Sequence, residues 1–200
     1  MRLLVATSNS GKLIEVREIL DGVDLQLVSL KEAGLGPPDE PFATFAENAA
    51  HKAAVCAARA ASWTLADDSG LCVDALEGGP GVYSARFAGS DEARRGKLLE
   101  QLRGVPEARR AAHFFCAVAL SSPDGKRLWR AEGRVDGRIA DAPRGSNGFG
   151  YDPLFLPDET PGRTLAELDS AEKNKLSHRG RALQRLRPVL ERLAQEGDLV

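Results

Sequence analysis

The chain has 200 residues, and its 42% hydrophobic and 28% charged content excludes a disordered protein and allows a substantial buried core. A formal net charge of −2 excludes binding of long nucleic acid through an overall basic field. The first apolar run ends at Thr7, too early for a signal peptide or a membrane span. We therefore expect a cytoplasmic protein whose partners include neither nucleic acid nor a membrane.

The N-terminal third of the chain predicts a strand and two helices. Leu3 to Ala6 is a short apolar run typical of a buried strand, and Gly11 to Leu20 has apolar residues at helical spacing. Thr44 and Glu47 form the S/T-x-x-E pattern that marks a helix start. The alanine-rich run after this pattern extends the second helix to about Ala61.

Two strands, a turn and a helix are predicted in the middle of the chain. Trp63 to Ala66 and Leu71 to Leu76 are apolar runs, and the Asp-Asp-Ser-Gly sequence between them has the composition of a turn. Ser90 or Asp91 then caps a helix that reaches about Arg103.

A hairpin, a loop, a strand and a helix complete the prediction. His113 to Leu120 and Arg127 to Val135 flank a Ser-Pro-Asp-Gly turn. Ala142 to Gly150 is a loop rich in Gly and Pro, Tyr151 to Leu156 is a short strand, and the last helix begins near Ser177. This order of elements predicts an α/β protein with a mixed sheet, in a single domain over the whole chain.

The strand-to-helix segment near the N-terminus is a candidate phosphate site. Helix N-terminal amides, a lysine and a glycine converge in Thr7-Ser8-Asn9-Ser10-Gly11-Lys12. The segment is not a P-loop, because Ala6 stands where that motif needs glycine and Leu13 where it needs Ser or Thr. An ordinary capped turn is the alternative.

Carboxylates that could serve a metal or a base follow the predicted strand at residue 66. Asp67 and Asp68 are adjacent, so in an extended segment their side chains point to opposite faces and only one enters a given site. A carboxylate at a strand end can hold Mg²⁺ and accept a proton from water. Glu40, in a loop after two prolines, could complete the oxygen ligands. A solvated turn is the alternative.

Two further groups of polar residues are candidates for ligand contact. Lys52 lies four residues after Asn48 on a helix of mostly alanine, so both could face a phosphate, unless Lys52 is only a solvated helix lysine. The segment 173–179 places four basic side chains around a predicted helix start, where cations oppose the helix dipole at about 0.3–1 kcal/mol each. This conflict indicates an anionic ligand, and a solvated basic face is the alternative.

Taken together, these segments resemble the inosine triphosphate pyrophosphatase family. Six motifs carry the resemblance in the same order through nearly the whole chain. They are Thr7 to Lys12, Phe45 to Ala53, Ala66 to Leu71, Gly79 to Arg86, Gly148 to Pro153 and Glu172 to Gly180. The resemblance implies a two-lobed α/β fold around a long mixed sheet, a homodimer, and a nucleotide cleft between the lobes. It also implies Mg²⁺-dependent hydrolysis of ITP, dITP and XTP to the monophosphate and pyrophosphate.

The resemblance assigns the phosphate and metal roles to five parts of the chain. Residues Thr7 to Lys12 would bind the triphosphate, with Asn9 and Lys12 as the main polar contacts, and Lys52 would join them. Asp68 would be the proton acceptor and a magnesium ligand, Glu40 the second acidic ligand, and Ser69 a substrate contact. The family often has glycine where Ser8 stands, so the turn must accommodate a side chain at this position.

The resemblance assigns recognition of the purine to seven residues near the C-terminus. The aromatic residue would stack on the base, and the donors would meet its 6-oxo group. These residues are Phe149, Gly150, Tyr151, Asp152, Lys173, His178 and Arg179. Two other functions are open: a Maf-like pyrophosphatase of other modified nucleotides, and a nucleotide sensor without turnover.

Overall fold

A computed structural model describes residues 1–196 of the chain as a six-stranded sheet with helices. The strands are β1 (Arg2–Val5), β2 (Gln26–Ser29), β3 (Thr64–Val73), β4 (Ala111–Ser121), β5 (Leu128–Ile139) and β6 (Phe155–Pro157). The helices are α1 (Ser10–Ile19), α2 (Phe45–Ala60), α3 (Asp91–Gln101), α4 (Ser170–Leu176) and α5 (His178–Glu196). Strands follow the order β2-β1-β3-β4-β5-β6 in the sheet. Strand β1 is parallel to both β2 and β3, whereas β5 is antiparallel to β6, which confirms the predicted mixed sheet of an α/β protein.

The described chain divides into two compact units. The first contains Met1–Asp68, Cys116–Gly133 and the chain from Arg179, and the second contains Ser69–Phe115 and Arg134–His178. Strands β3, β4 and β5 each contribute residues to both units.

The core of the first unit is built from strand residues and one face of α5. Strands β1, β3 and β4 contribute Leu3, Leu65 and Val118 to this core. An apolar stripe of α5 is buried against them through Ala182, Leu183, Leu186, Leu190 and Leu193. Full burial of one leucine contributes about 1.5–3 kcal/mol, so the stripe is a main stabilising contact of this unit.

The core of the second unit is separate and richer in aromatic residues. Val73, Ile139 and Phe155 come from β3, β5 and β6, and Phe114 of β4 packs on Phe155 with ring centroids 4.8 Å apart. The buried Tyr151 side chain belongs to the same core.

None of the helices in the described residues is long and apolar enough to cross a membrane.

The most informative difference from the sequence prediction lies in β3. The sequence predicted two strands and a turn at residues 67–70, but β3 runs without interruption from Thr64 to Val73. The turn prediction was wrong because it relied on the polar composition of this segment, which is typical of exposed turns. Both side chains are buried and are bound by cationic or amide groups, so the strand can contain them.

The basic segment near the C-terminus also folds differently. The sequence predicted one helix start near Ser177, whereas α4 ends at Leu176 and α5 begins at His178. Lys173 and Lys175 therefore lie in the last turn of α4, where cations are favourable. The predicted conflict with a helix dipole was wrong for these two lysines.

The predicted strand at 151–156 is shorter, because a 3₁₀ turn at Asp152–Leu154 precedes β6.

Candidate active site

The turn before α1 presents the start of a helix to solvent. Asn9 caps the helix, because its side-chain oxygen accepts a hydrogen bond from the Lys12 backbone N–H at 3.1 Å. Thr7 supports the turn by accepting from the Asn9 N–H at 3.2 Å. Ser8 does not need the left-handed backbone, since Ala61 and Glu77 are the non-glycine residues with positive φ among those described. Residues 8–10 are exposed, so the N-terminal end of this helix is open to an anion.

Lys12 belongs to a buried ionic network that connects α1, β3 and α5. Its Nζ lies 3.0 Å from Oδ2 of Asp67, and the Arg179 guanidinium donates to the same oxygen at 3.1 and 3.2 Å. Arg179 also donates to Glu15 of α1. The side chain of Arg179 is 2% exposed, which makes it one of the most deeply buried charges in the described chain. The ion pair with Asp67 thus fixes the side chain of Lys12 near the start of α1.

Lys52 of α2 forms a second set of contacts with the other aspartate and with a loop. Its Nζ lies 2.6 Å from Oε1 of Glu40 and 3.2 Å from Oδ1 of Asp68. Asn48, one helical turn earlier, donates to Oδ2 of Asp68 at 3.1 Å. Asp67 and Asp68 therefore have different partners, as expected for adjacent side chains in a strand. We call these eight residues the charged group: Lys12, Glu15, Glu40, Asn48, Lys52, Asp67, Asp68 and Arg179.

Burial and charge act against each other on the titratable residues of the charged group. Burial outweighs the neighbouring lysines at Asp68 and raises the pKa of its carboxyl, which makes Asp68 a stronger base. Burial acts in the same direction at Asp67, but Lys12 and Arg179 outweigh it and hold the pKa of Asp67 well below its usual range. Burial disfavours the charged form of Lys52, yet the carboxylates of Asp68, Asp67 and Glu40 raise its pKa. Asp67 and Lys52 are therefore ionised at neutral pH.

The two carboxylates on Lys52 fit a divalent cation. Glu40 and Asp68 come from a loop and a strand, and their oxygens already converge on one positive charge, the Lys52 ammonium. The described residues contain no group of three His, Cys, Asp or Glu side chains suited to a metal. Mg²⁺ commonly takes one or two carboxylates and completes its shell with substrate phosphates and water. Two oxygen donors of this kind are consistent with that mode.

A second group of residues with a different character lies in the second unit. Lys173 Nζ lies 2.5 Å from Oδ2 of Asp152 and 4.9 Å from the centre of the Phe149 ring. Asp152 also accepts from the Phe149 backbone N–H at 2.8 Å. His178 stacks on Phe114 with ring centroids 4.7 Å apart and planes 8° from parallel. We call these five residues the aromatic group: Phe114, Phe149, Asp152, Lys173 and His178.

Glycines and backbone bonds shape the segment that carries Phe149. Gly148 has φ +72°, and a Cβ at this position would lie 2.9 Å from Lys173 Nζ and closer still to Asp152, so a larger residue does not fit. Gly150 is held by α3, since its N–H donates to Asp91 at 2.7 Å and its carbonyl accepts from Arg95 at 2.8 Å.

The structure sorts the site residues that the sequence singled out. Lys12, Glu40, Lys52 and Asp68 come together in the charged group, and most of the residues assigned to the purine lie in the aromatic group or beside it. Tyr151 instead is buried and donates its hydroxyl to the Ser84 carbonyl at 3.0 Å. Contact of Ser69, a partly exposed residue of β3, with substrate stays a prediction.

Arg179 has partners that the sequence did not predict. Its guanidinium donates to Asp67 and Glu15, and its contact with the purine, which the resemblance implied, stays a prediction. Glu15 and Asp67 were missed as site residues by the sequence. Their signal was weak: Glu15 follows Lys12 by three residues on a helix, and nothing local relates either acid to an arginine more than a hundred residues away.

The chain is similar to known proteins over nearly its whole length. A family model described as the Ham1 family matches residues 3–189. The dITP/XTP pyrophosphatase of Geobacter sulfurreducens is 53% identical over 193 residues, covering 94% of this chain and 96% of the relative. That of Bacillus subtilis strain 168 is 46% identical over 192 residues, with coverage of 94% and 96%.

Solved structures are similar over the same length. A HAM1 protein from Coxiella burnetii matches with a TM-score of 0.84 at 40% identity, covering 96% of this chain and 99% of that chain. A nucleoside-triphosphatase, also titled dITP/XTP pyrophosphatase, from Mycobacterium abscessus matches with a TM-score of 0.73 at 45% identity, with coverage of 94% and 100%.

Proposed function

Because the chain belongs to the Ham1 family, we propose that it is a pyrophosphatase that hydrolyses non-canonical purine nucleoside triphosphates such as ITP, dITP and XTP. The products are the nucleoside monophosphate and pyrophosphate, so the enzyme keeps these nucleotides out of DNA and RNA. One observation carries the mechanism: Lys52 and Asn48 both bind the buried Asp68, and Lys52 also binds Glu40.

Asp68 is the general base of the proposed reaction. It accepts a proton from a water molecule while the water oxygen forms a bond to the α-phosphorus, and the bond from that phosphorus to the oxygen shared with the β-phosphorus breaks. Pyrophosphate leaves with the electron pair. The raised pKa of Asp68 strengthens it as a base, and its place on a strand holds it in a fixed position.

Positive groups around Asp68 bind the triphosphate. The N-terminal end of α1 and the ammonium groups of Lys12 and Lys52 neutralise charge that grows on the phosphates. Mg²⁺, held by Asp68 and Glu40, would polarise the triphosphate further when bound. This metal requirement is part of the proposal, as are a homodimeric assembly and a place in the cytoplasm.

The aromatic group supplies selectivity for the base. Phe149 offers a ring face to the purine, and Lys173, held by Asp152, and His178 offer donors for the 6-oxo oxygen. Adenine presents an amino group where hypoxanthine and xanthine present that oxygen, so a donor would face a donor. Apolar fit gives only about 10–200-fold selectivity, whereas a polar mismatch can reject a substrate by roughly 10⁴-fold.

A substrate panel tests this function. Pyrophosphate release is measured for ITP, dITP, XTP, ATP and GTP at equal concentration, with Mg²⁺ and with excess EDTA. We expect kcat/KM for ITP and XTP to exceed that for ATP by about 10²-fold or more, and release to stop with EDTA. Equal turnover of ATP would refute the purine selectivity, and nucleotide binding without pyrophosphate release would identify a sensor.

A further inference from the structure

The side chain of Asn48 makes a set of contacts that the reaction described so far does not use. It is 0% exposed, and it lies in the first turns of α2. Its Oδ1 accepts from the Phe42 backbone N–H at 2.9 Å. Its Nδ2 donates to the Phe42 carbonyl at 3.1 Å and to Oδ2 of Asp68 at 3.1 Å. Asn48 thus connects the loop before α2 to the proposed base.

The orientation of this amide is fixed by its neighbours. The Phe42 N–H can only donate, so the amide oxygen must face it, and the amide nitrogen must then face the two acceptors. Both N–H bonds of Nδ2 are used by these acceptors. The amide nitrogen therefore has no N–H left for a phosphate, which was the role the sequence suggested for Asn48.

Asn48 and Lys52 together hold both oxygens of Asp68 from one helix face. Lys52 binds Oδ1, and Asn48 binds Oδ2. The same two residues hold the loop, because Lys52 contacts Glu40 and Asn48 makes two hydrogen bonds to the backbone of Phe42. In the proposed reaction Lys52 also serves the triphosphate. Asn48 has no such second task, so its contacts can persist when substrate binds.

We propose that Asn48 is a positioning residue that holds Asp68 and the loop carrying Glu40 in the arrangement needed for hydrolysis. This role rests on the proposed function and deepens it. A base must stay within hydrogen-bond reach of the water it deprotonates, and a misplacement of about 1 Å can cost 10²-fold in rate. A short, buried amide with three hydrogen bonds restricts Asp68 more than a long lysine side chain does.

Two substitutions separate the two sides of the amide. Asn48→Ala removes every contact, so the Phe42 amide should lose protection from hydrogen exchange and kcat for ITP should fall by about 10²-fold. Asn48→Asp keeps an oxygen for the Phe42 N–H but turns a second oxygen toward Asp68 and the Phe42 carbonyl. Its Phe42 amide should stay protected while its kcat falls. In both variants KM for ITP should change less than kcat.

The exchange of the Phe42 amide is measured by NMR in the metal-free protein, and kcat and KM are measured at saturating Mg²⁺. Thr44→Ala is the matched control, because Thr44 caps the same helix without touching Asp68. It should lower the unfolding midpoint and leave kcat near the wild-type value. A fall in kcat no larger for Asn48→Ala than for Thr44→Ala would overturn the proposal.

Two other results are decisive. Loss of Phe42 protection in Asn48→Asp would overturn the orientation of the amide and with it the assigned link. Absence of pyrophosphate release by the wild-type protein would refute the proposed function. The link between the loop and α2 would still be established if the Phe42 amide is protected from hydrogen exchange in the wild-type protein and loses this protection in Asn48→Ala.

Discussion

The charged group and the aromatic group differ in what they place beside a substrate. In the charged group, acidic and basic side chains bind one another: Asp67 holds Lys12 and Arg179, and Lys52 lies between Glu40 and Asp68. In the aromatic group an ion pair between Lys173 and Asp152 lies beside aromatic rings. The first arrangement suits a polyanion and an attacking water, and the second suits a flat base with one distinguishing oxygen.

This difference predicts different kinetic and thermodynamic effects of substitution. Changes in the charged group should affect the chemical step or the stability of the fold, because its members contact one another and, in the proposed reaction, the reacting atoms. Changes in the aromatic group should affect the binding of the base. The base is bound equally in the substrate complex and in the transition state, so these changes should alter KM more than kcat.

The largest effect is expected at Asp68. Asp68→Asn keeps the size of the side chain and removes its basicity, so kcat should fall by about 10²–10⁴-fold. Lys52 keeps its contact with Glu40, so no ammonium is left without a carboxylate and the fold should persist. Steady-state kinetics with ITP and a thermal unfolding curve test both parts. Unchanged turnover would exclude Asp68 as the base.

The next largest effect is expected at Arg179, in stability. Arg179→Met leaves Asp67 and Glu15 buried without their guanidinium, and loss of one partner of a buried ion pair costs about 3–5 kcal/mol. Arg17→Met is the matched control, because the Arg17–Glu32 pair is half exposed at 3.6 Å and should contribute about 0–1 kcal/mol. Urea unfolding of the three proteins measures the difference. Equal losses would show that the network contributes no more than a surface pair.

A smaller effect, confined to binding, is expected at Phe149. Phe149→Leu keeps an apolar side chain but removes the ring, and stacking on a base contributes about 1–3 kcal/mol. KM for ITP should rise by roughly 10-fold, with kcat changed less. Phe87→Leu is the control, since Phe87 also lies under a lysine, with Lys97 Nζ 4.2 Å from its ring centre, but outside the aromatic group. A fall in kcat alone for Phe149→Leu would contradict a stacking role.

The smallest effect is on the pH dependence of stability, and it reports whether water reaches the buried thiol near the charged group. Burial, with the nearby Asp67 charge, raises the pKa of the Cys116 thiol to about 12. In an unfolded chain the thiol ionises near pH 8.5, so above that value the unfolded state releases a proton that the folded state keeps. Stability should therefore fall as pH rises, by at most about 1.4 kcal/mol per pH unit from this thiol.

Urea unfolding at pH 8, 9 and 10 tests the thiol. The wild-type protein should lose its stability advantage over Cys116→Ala as pH rises. Cys72, which is partly exposed, provides the comparison from the second unit, and Cys72→Ala should alter the pH dependence less. Parallel pH profiles for wild type and Cys116→Ala would show that water reaches Cys116.

The sequence predicted those parts of the fold that depend on local patterns. The cap at Thr44 and the helix after it are confirmed, as is the helix capped by Ser90. The hairpin is confirmed as β4 and β5, adjacent strands joined by a short turn. Each of these rests on residues within a few positions of one another, where spacing alone determines the contacts.

The errors arose where distant residues decide the outcome. A run of Asp, Asp, Ser and Gly has the composition of a turn, and only contact with Lys12, Lys52 and Arg179 allows it to be a strand. The family resemblance named Lys12, Lys52 and Asp68, which lie together in the charged group, but it could not show that Arg179 binds two acids. Distances between residues 15, 67 and 179 are set by tertiary packing and leave no pattern in the sequence.

The uninterrupted β3 strand has a consequence for how this chain can vary. Successive side chains of a strand alternate between two faces, so insertion of one residue before Asp67 would exchange the partners available to the two aspartates. The length of the chain between Thr64 and Asp68 is therefore fixed. Homologous chains should accordingly agree in the length of this strand.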